Sequence, residues 1–199
     1  MKKMSSVKNA AALNKQCMEF ENTEFQIREL LRALEDVNLP VVFSKANSDT
    51  YGSVINRELQ DHVQTHSETR LVDNLGLPTY ANLMNHASAM VGNSSSGIIE
   101  APYFGLPVVN IGNRQKGRVR GDNVIDVGYE KSQIVEGIRR ATSIAFKETI
   151  KEVKNPYGEG KAAPIILENI KRYLESDNLL NKKFNDLNIT LSDGLSAGS

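Results

Sequence analysis

"VGNSSSGIIEAPYFGLPVVNI", residues 91–111, decides the fold. A strand-like run stops at Gly92, three serines and a glycine follow, and the chain turns helical before a second apolar run, "LPVVNI" (106–111). A buried strand handing over to a helix in this way belongs to an α/β sheet, whose ligands bind at the carboxyl ends of its strands. The first N–H groups of a helix lack internal partners and carry partial positive charge. Hydroxyl donors, and a glycine that admits close backbone approach, suit such a junction to a phosphate. N-capping by serine is the competing reading. It accounts for one serine rather than three, and on these residues alone the two readings stand level.

Working outward, short apolar runs alternate with helical patterns. "EFQIRELLRALEDV" (24–37) puts Phe25, Ile27, Leu30, Leu31 and Leu34 close to helical spacing, and "NLPVVFS" (38–44) reads as a buried strand. Helix 50–66, strand 69–73, helix 77–87 and strand 88–93 lead into the junction. Beyond it come a short helix over 95–105, strands at 106–112 and 123–127, and a helix over 130–144 with acidic start and basic end. That helical pattern continues to 153, a Gly/Pro-marked loop covers 154–163, and a last helix covers 164–176. The expected fold is α/β: a Rossmann-like parallel sheet with helices on both faces, over residues 20–176. Residues 1–19 lack periodicity and read as an irregular start, and 177–199 as a disordered Ser/Gly-rich tail.

Composition bounds the partners. Lys plus Arg equals Asp plus Glu at 24 each in 199 residues, so no basic face for nucleic acid is expected. A single cysteine, Cys17, excludes an internal disulfide framework and fits a reducing, cytoplasmic setting. The first residues lack the apolar core of a signal peptide, and no run approaches the roughly 18 apolar residues of a membrane span.

The order "LMNHASAMVGNSSSGIIEAPYFGLPVVNIGNRQKGRVRGDNVIDV", with "NPYGEGKA" downstream, resembles the C-terminal half of the hydrolysing UDP-N-acetylglucosamine 2-epimerases, the family of sialic-acid-type sugar biosynthesis. The resemblance runs from about Glu21 to Leu174. It implies half of a two-domain, glycosyltransferase-B-like fold with the UDP-sugar in the cleft between the halves. It places the diphosphate on Ser94 and Ser95, with Ser96 and Gly97 completing the turn, and the ribose hydroxyls on Glu100. A carboxylate at that position can accept two hydrogen bonds from a diol, although a solvated helix charge is the commoner fate of a lone Glu. Tyr80 falls where the family stacks an aromatic on uracil, Asn47 matches an Asn of the first-strand loop, and Arg114 matches an arginine on the phosphate side. Arg118 and Arg120 are further cations of the same loop, equally readable as solvated charges.

The family reaction is anti elimination of UDP to a 2-acetamidoglucal, then water addition with inversion at C2. The resemblance assigns its acids and bases to carboxylates of an N-terminal half absent from this sequence, so no catalytic residue is named. Where the family opens its second half with a strand ending in His-Pro, Gln16 and Cys17 stand instead. The expectation is a truncated, gene-remnant-like chain, inactive alone, whose missing first strand leaves a sheet edge unpaired. Its partners would be a UDP-sugar and either a separate N-terminal half or a second copy. No cofactor is implied. His62, His66 and His86 form no metal-like motif, since the pair one turn apart lacks the acidic residue of an HExxH pattern. A non-catalytic UDP-binding module and a UDP-sugar glycosyltransferase half are the alternatives.

Overall fold

The structure, a computed structural model, describes residues 10–14 (as backbone), 22–46 and 51–174. Its elements run β1 (Ala10–Asn14), α1 (Thr23–Val37), β2 (Val41–Ser44), α2 (Gly52–Thr65), β3 (Thr69–Val72), α3 (Gly76–His86) and β4 (Ala87–Gly92). After the serine turn come α4 (Ser96–Ile99), a 3-10 turn (Ala101–Phe104), β5 (Val108–Ile111), β6 (Val124–Val127), α5 (Lys131–Thr142), α6 (Ile144–Thr149) and α7 (Ala162–Leu174). The residues divide into two compact units, one reaching Tyr157 and one starting at Gly158.

Among the described residues of the first unit, six strands form one sheet in the order β3-β2-β1-β4-β5-β6, every pair parallel. This is the doubly wound order, in which the direction of winding reverses between β1 and β4 and opens a crevice at their carboxyl ends. The residue pair at that edge is Asn14 and Gly92.

The N-terminal stretch departs from expectation. Ala10–Asn14 is a strand, and it lies between β2 and β4 rather than leaving an edge open. "AAALN" escapes detection because alanine is the strongest helix former and a poor strand former. It is nonetheless a short continuous apolar run, the pattern of a central parallel strand.

Both faces of the sheet are covered. The larger core joins α1, α2 and α5 to one face through Ile27, Leu30, Leu34, Ile55, Leu59, Ile134 and Ile138, packed on Phe43, Val91, Val109 and Ile111. A smaller cluster of Met84, Met90, Ala101, Leu106 and Val108 closes the other side. A buried charge locks α1 to α5: the Glu29 carboxylate accepts from the Lys131 backbone N–H at 2.9 Å. It thereby satisfies an orphan donor at a helix N-terminus, where negative charge is favoured.

The helical pattern over 130–153 is broken in two. Ser143 is extended (φ −68°, ψ 147°), and its hydroxyl accepts from the Phe146 N–H at 3.2 Å, capping α6. The short helix after the junction also changes character at Pro102, which has no N–H to continue the α ladder, so a 3-10 turn follows.

The second unit holds α7. Its apolar residues Ile165, Ile166, Ile170 and Tyr173 are each about half exposed or more.

Candidate functional site

The turn between β4 and α4 sits at the carboxyl edge of the sheet, beside the β1/β4 switch point. Asn93 is buried, at 3% exposure, and Ser94, Ser95 and Ser96 are half-buried. The turn braces itself: the Ser94 hydroxyl accepts from the Ser96 N–H at 3.2 Å, and the Ser94 carbonyl from the Gly97 N–H at 3.2 Å. Ser95 immediately precedes α4, its carbonyl accepting from the N–H groups of Ile98 and Ile99 at 3.0 and 2.9 Å.

Gly97 has a packing reason. A Cβ there would lie 2.8 Å from Val108 Cγ1 and 3.4 Å from Met90 Sδ, so the missing side chain is what lets α4 sit against the sheet. Glu100 follows on the same short helix, with its backbone N–H on the Ser96 carbonyl at 2.9 Å. Its side chain is accessible, yet neighbouring protein removes enough hydration to raise the carboxyl pKa.

Arg114 reaches the turn from the loop after β5: its guanidinium donates to the Asn93 carbonyl oxygen at 3.0 Å. Gln115 Nε2 donates to the same oxygen at 2.6 Å, with its side chain fully buried. Sequence reasoning missed Gln115, because an uncharged amide in a polar loop carries no signal of burial. Asn155 of the "NPYGEGKA" stretch was missed as well. Its Nδ2 donates to the Ile99 carbonyl at 2.8 Å, satisfying an end carbonyl of α4.

Tyr80 comes to the site from α3. Its hydroxyl donates to Ser96 Oγ at 2.8 Å. Burial, with Glu100 nearby adding to it and the Ser96 bond opposing it, pushes the phenol up to about 12. The ring is partly buried against the smaller core cluster. Asn47 lies outside the described residues. Its predecessor is held on both sides, since Ala46 N–H donates to Asn56 Oδ1 at 2.8 Å and Asn56 Nδ2 to the Ala46 carbonyl at 3.3 Å.

Of the remaining loop cations, Arg120 is engaged. It donates to Asp126 Oδ1 at 2.5 Å, and the same oxygen accepts from Asn110 Nδ2 at 2.8 Å. Arg118 is exposed. His86 is also exposed, with Nδ1 on the Asn82 carbonyl at 2.8 Å, and serves its own helix. His62 and His66 stand elsewhere, and the structure brings them a carboxylate from another helix, Glu35, that the sequence pattern did not connect with them.

A doubly wound sheet with hydroxyls, amides and an arginine gathered at its switch point is an arrangement suited to an anionic ligand. The sequence profile of the UDP-N-acetylglucosamine 2-epimerase family matches residues 16–171, and the chain belongs to that family. It is 41% identical over 169 residues to the GDP/UDP-N,N'-diacetylbacillosamine 2-epimerase (hydrolyzing) of Campylobacter jejuni, an alignment covering 84% of this chain and 44% of that protein. It is 36% identical over 164 residues to the UDP-N,N'-diacetylbacillosamine 2-epimerase (hydrolyzing) of Legionella pneumophila, covering 82% and 42%. Among solved structures, the Methanocaldococcus jannaschii UDP-GlcNAc 2-epimerase in complex with UDP-GlcNAc and UDP matches with TM-score 0.66 at 16% identity, over 83% of this chain and 46% of that one. The Neisseria meningitidis enzyme bound to UDP-GlcNAc matches with TM-score 0.60 at 20% identity, over 83% and 44%. These likenesses confirm the expected fold. The chain spans less than half the length of the relatives it matches.

Proposed function

We propose that this chain is the nucleotide-binding half of a hydrolysing UDP-amino-sugar 2-epimerase, holding UDP at the serine turn and depending on a second half for turnover. The observation that carries this reading is Arg114 bound to the Asn93 carbonyl, immediately before three serines at the sheet's switch point. A guanidinium tethered to the residue before the turn, together with the turn's hydroxyls, is a donor set that suits a diphosphate. Ser96 accepts from Tyr80, which leaves its own proton to donate outward. Gly97 keeps the turn close to the sheet, Glu100 is the candidate partner of the ribose hydroxyls, and the Tyr80 ring is the candidate surface for uracil. Asn47 would contribute from the loop after β2.

In the family reaction the C1–O bond breaks as a proton leaves C2, and UDP departs with the bond's electrons. Fixed donors at the turn would stabilise the charge that grows on the diphosphate. The acids and bases that move the C2 proton belong to the other half in this reading. The relatives' names support a UDP-linked amino sugar, either N-acetylglucosamine or a diacetamido trideoxy sugar.

Calorimetry with UDP, followed by an assay for UDP release from UDP-N-acetylglucosamine and from UDP-N,N'-diacetylbacillosamine, tests both parts. The expected result is UDP binding without turnover by the chain alone, and turnover when an N-terminal half is supplied. Absence of UDP binding overturns the site. Turnover by the chain alone overturns the dependence.

A further inference from the structure

His62 in the last turn of α2 and His66 just after its end meet a carboxylate from α1. Glu35 Oε1 lies 3.4 Å from His66 Nε2 and 3.8 Å from His62 Nδ1. The imidazole rings are stacked, with centroids 3.8 Å apart and planes 10° from parallel. One ligand atom from each of the three residues lies within 4.8 Å of the other two.

The hydrogen bonding fixes which atoms face the cluster. His66 Nδ1 lies 2.9 Å from the His62 carbonyl oxygen and 2.9 Å from Thr65 Oγ1, and the tautomer that donates from Nδ1 to the carbonyl presents Nε2 to Glu35. In the neutral ring Nε2 is then a lone pair directed at a carboxylate oxygen. In that tautomer a cation between the two acceptors supplies the partner that a proton on Nε2 would otherwise supply. A backbone carbonyl holding the far N–H of a histidine, so that its other nitrogen is presented, is the support that metal-ligating histidines use.

We infer that Glu35, His62 and His66 form a binding site for a divalent transition-metal ion of the zinc class, joining α1 to α2. At metal–ligand distances near 2.0–2.1 Å, tetrahedral ligand atoms stand about 3.4 Å apart. The Glu35–His66 separation of 3.4 Å already meets that spacing, whereas His62, 3.8 Å from Glu35, must turn its ring out of the stack to bring its in-plane lone pair onto the same ion. Two imidazoles and one carboxylate select zinc-like ions over magnesium or calcium, which prefer oxygen alone. Side-chain exposures of 38% for His66 and 45% for Glu35 leave the ion an entry path and a position for water.

The position separates this site from the serine turn. Glu35 is near the end of α1, which leads into β2, and His62 and His66 are at the end of α2, which leads into β3. The cluster therefore lies at the amino edge of the sheet, while the serine turn follows β4 at the carboxyl edge. The ion's role is structural, adding to the Arg28–Glu58 contact that links the same two helices at 3.3 Å.

The test uses the full chain without an affinity tag of histidines, stripped with chelator and titrated with Zn²⁺ in a calorimeter, and with Co²⁺ in visible absorption. Expected are one equivalent of Zn²⁺, intense tetrahedral-type Co²⁺ bands and a rise in melting temperature. His66→Gln and Glu35→Ala, both at accessible positions, should each weaken Zn²⁺ by about tenfold or more, since each removes one of three donors. His86→Gln should bind as the unaltered chain does. In NMR, Zn²⁺ should move the ring signals of His62 and His66 and leave those of His86. No Zn²⁺ binding, or binding that survives both substitutions, overturns the proposal.

Discussion

The Arg114 guanidinium donates to the Asn93 carbonyl oxygen at 3.0 Å, so a cation from the loop after β5 is fixed beside the residue that precedes the serine triplet. Arg114→Ala removes both that tether and the charge. It should weaken UDP binding by about 10-fold to 100-fold, and Ser95→Ala by a similar factor, each the equivalent of roughly 1.5–3 kcal/mol for a hydrogen bond to a charged group. Calorimetric titration of both variants with UDP checks this, and unchanged affinity in both would remove the serine turn from consideration.

Gly97→Ala should destabilise the fold by about 1–3 kcal/mol, the usual cost of overpacking. The added carbon would sit 2.8 Å from Val108 Cγ1. Urea midpoints measure the loss. Adding Val108→Ala, which clears the clash, should make the second substitution cost less in the variant than in the unaltered chain.

Tyr80 makes stability sensitive to alkali. Its phenol is pushed up to about 12 in the folded chain, chiefly by burial, above its ordinary value of 10.0. The folded state therefore holds this proton more tightly. The associated stability is complete below pH 10 and is lost as pH rises from 10 towards 12. Tyr80→Phe should flatten that part of the unfolding profile, and difference absorbance of the tyrosinate should show one late-titrating phenol disappear.

His62 acts at the other end of the scale. Burial chiefly, and His66 beside it, hold its pKa below the ordinary 6.5, with Glu35 opposing. The unfolded chain takes up a proton first as pH falls, so the contribution is complete above pH 6.5 and declines below it. Urea midpoints should fall between pH 7 and pH 5, with the His62 ring signal in NMR titrating below the ordinary imidazole value of 6.5.

Much of this architecture was legible because it rests on local pattern. Phe43, Val91 and Val109 belong to short apolar runs, and Ile27, Leu30 and Leu34 to a helical stripe, so alternation alone implied a parallel sheet with both faces covered. The serine turn announced itself by composition. β1 did not, because three alanines favour a helix locally and only the vacancy between β2 and β4 makes them a strand. Gln115 and Asn155 were invisible for another reason: each works by satisfying a carbonyl distant in sequence, a demand that exists only once the chain has folded. Glu35 joined the two histidines in the same way, across helices that no spacing rule connects.

The strand order has one more consequence. β2 and β3 on one side, and β4, β5 and β6 on the other, meet through five residues, Ala10–Asn14. This segment is a keystone, and its seat is a ladder of main-chain groups that a small-residue, apolar, proline-free peptide can mimic. Removing it should part the sheet into two wings, and a synthetic strand offered in trans should bring them back together.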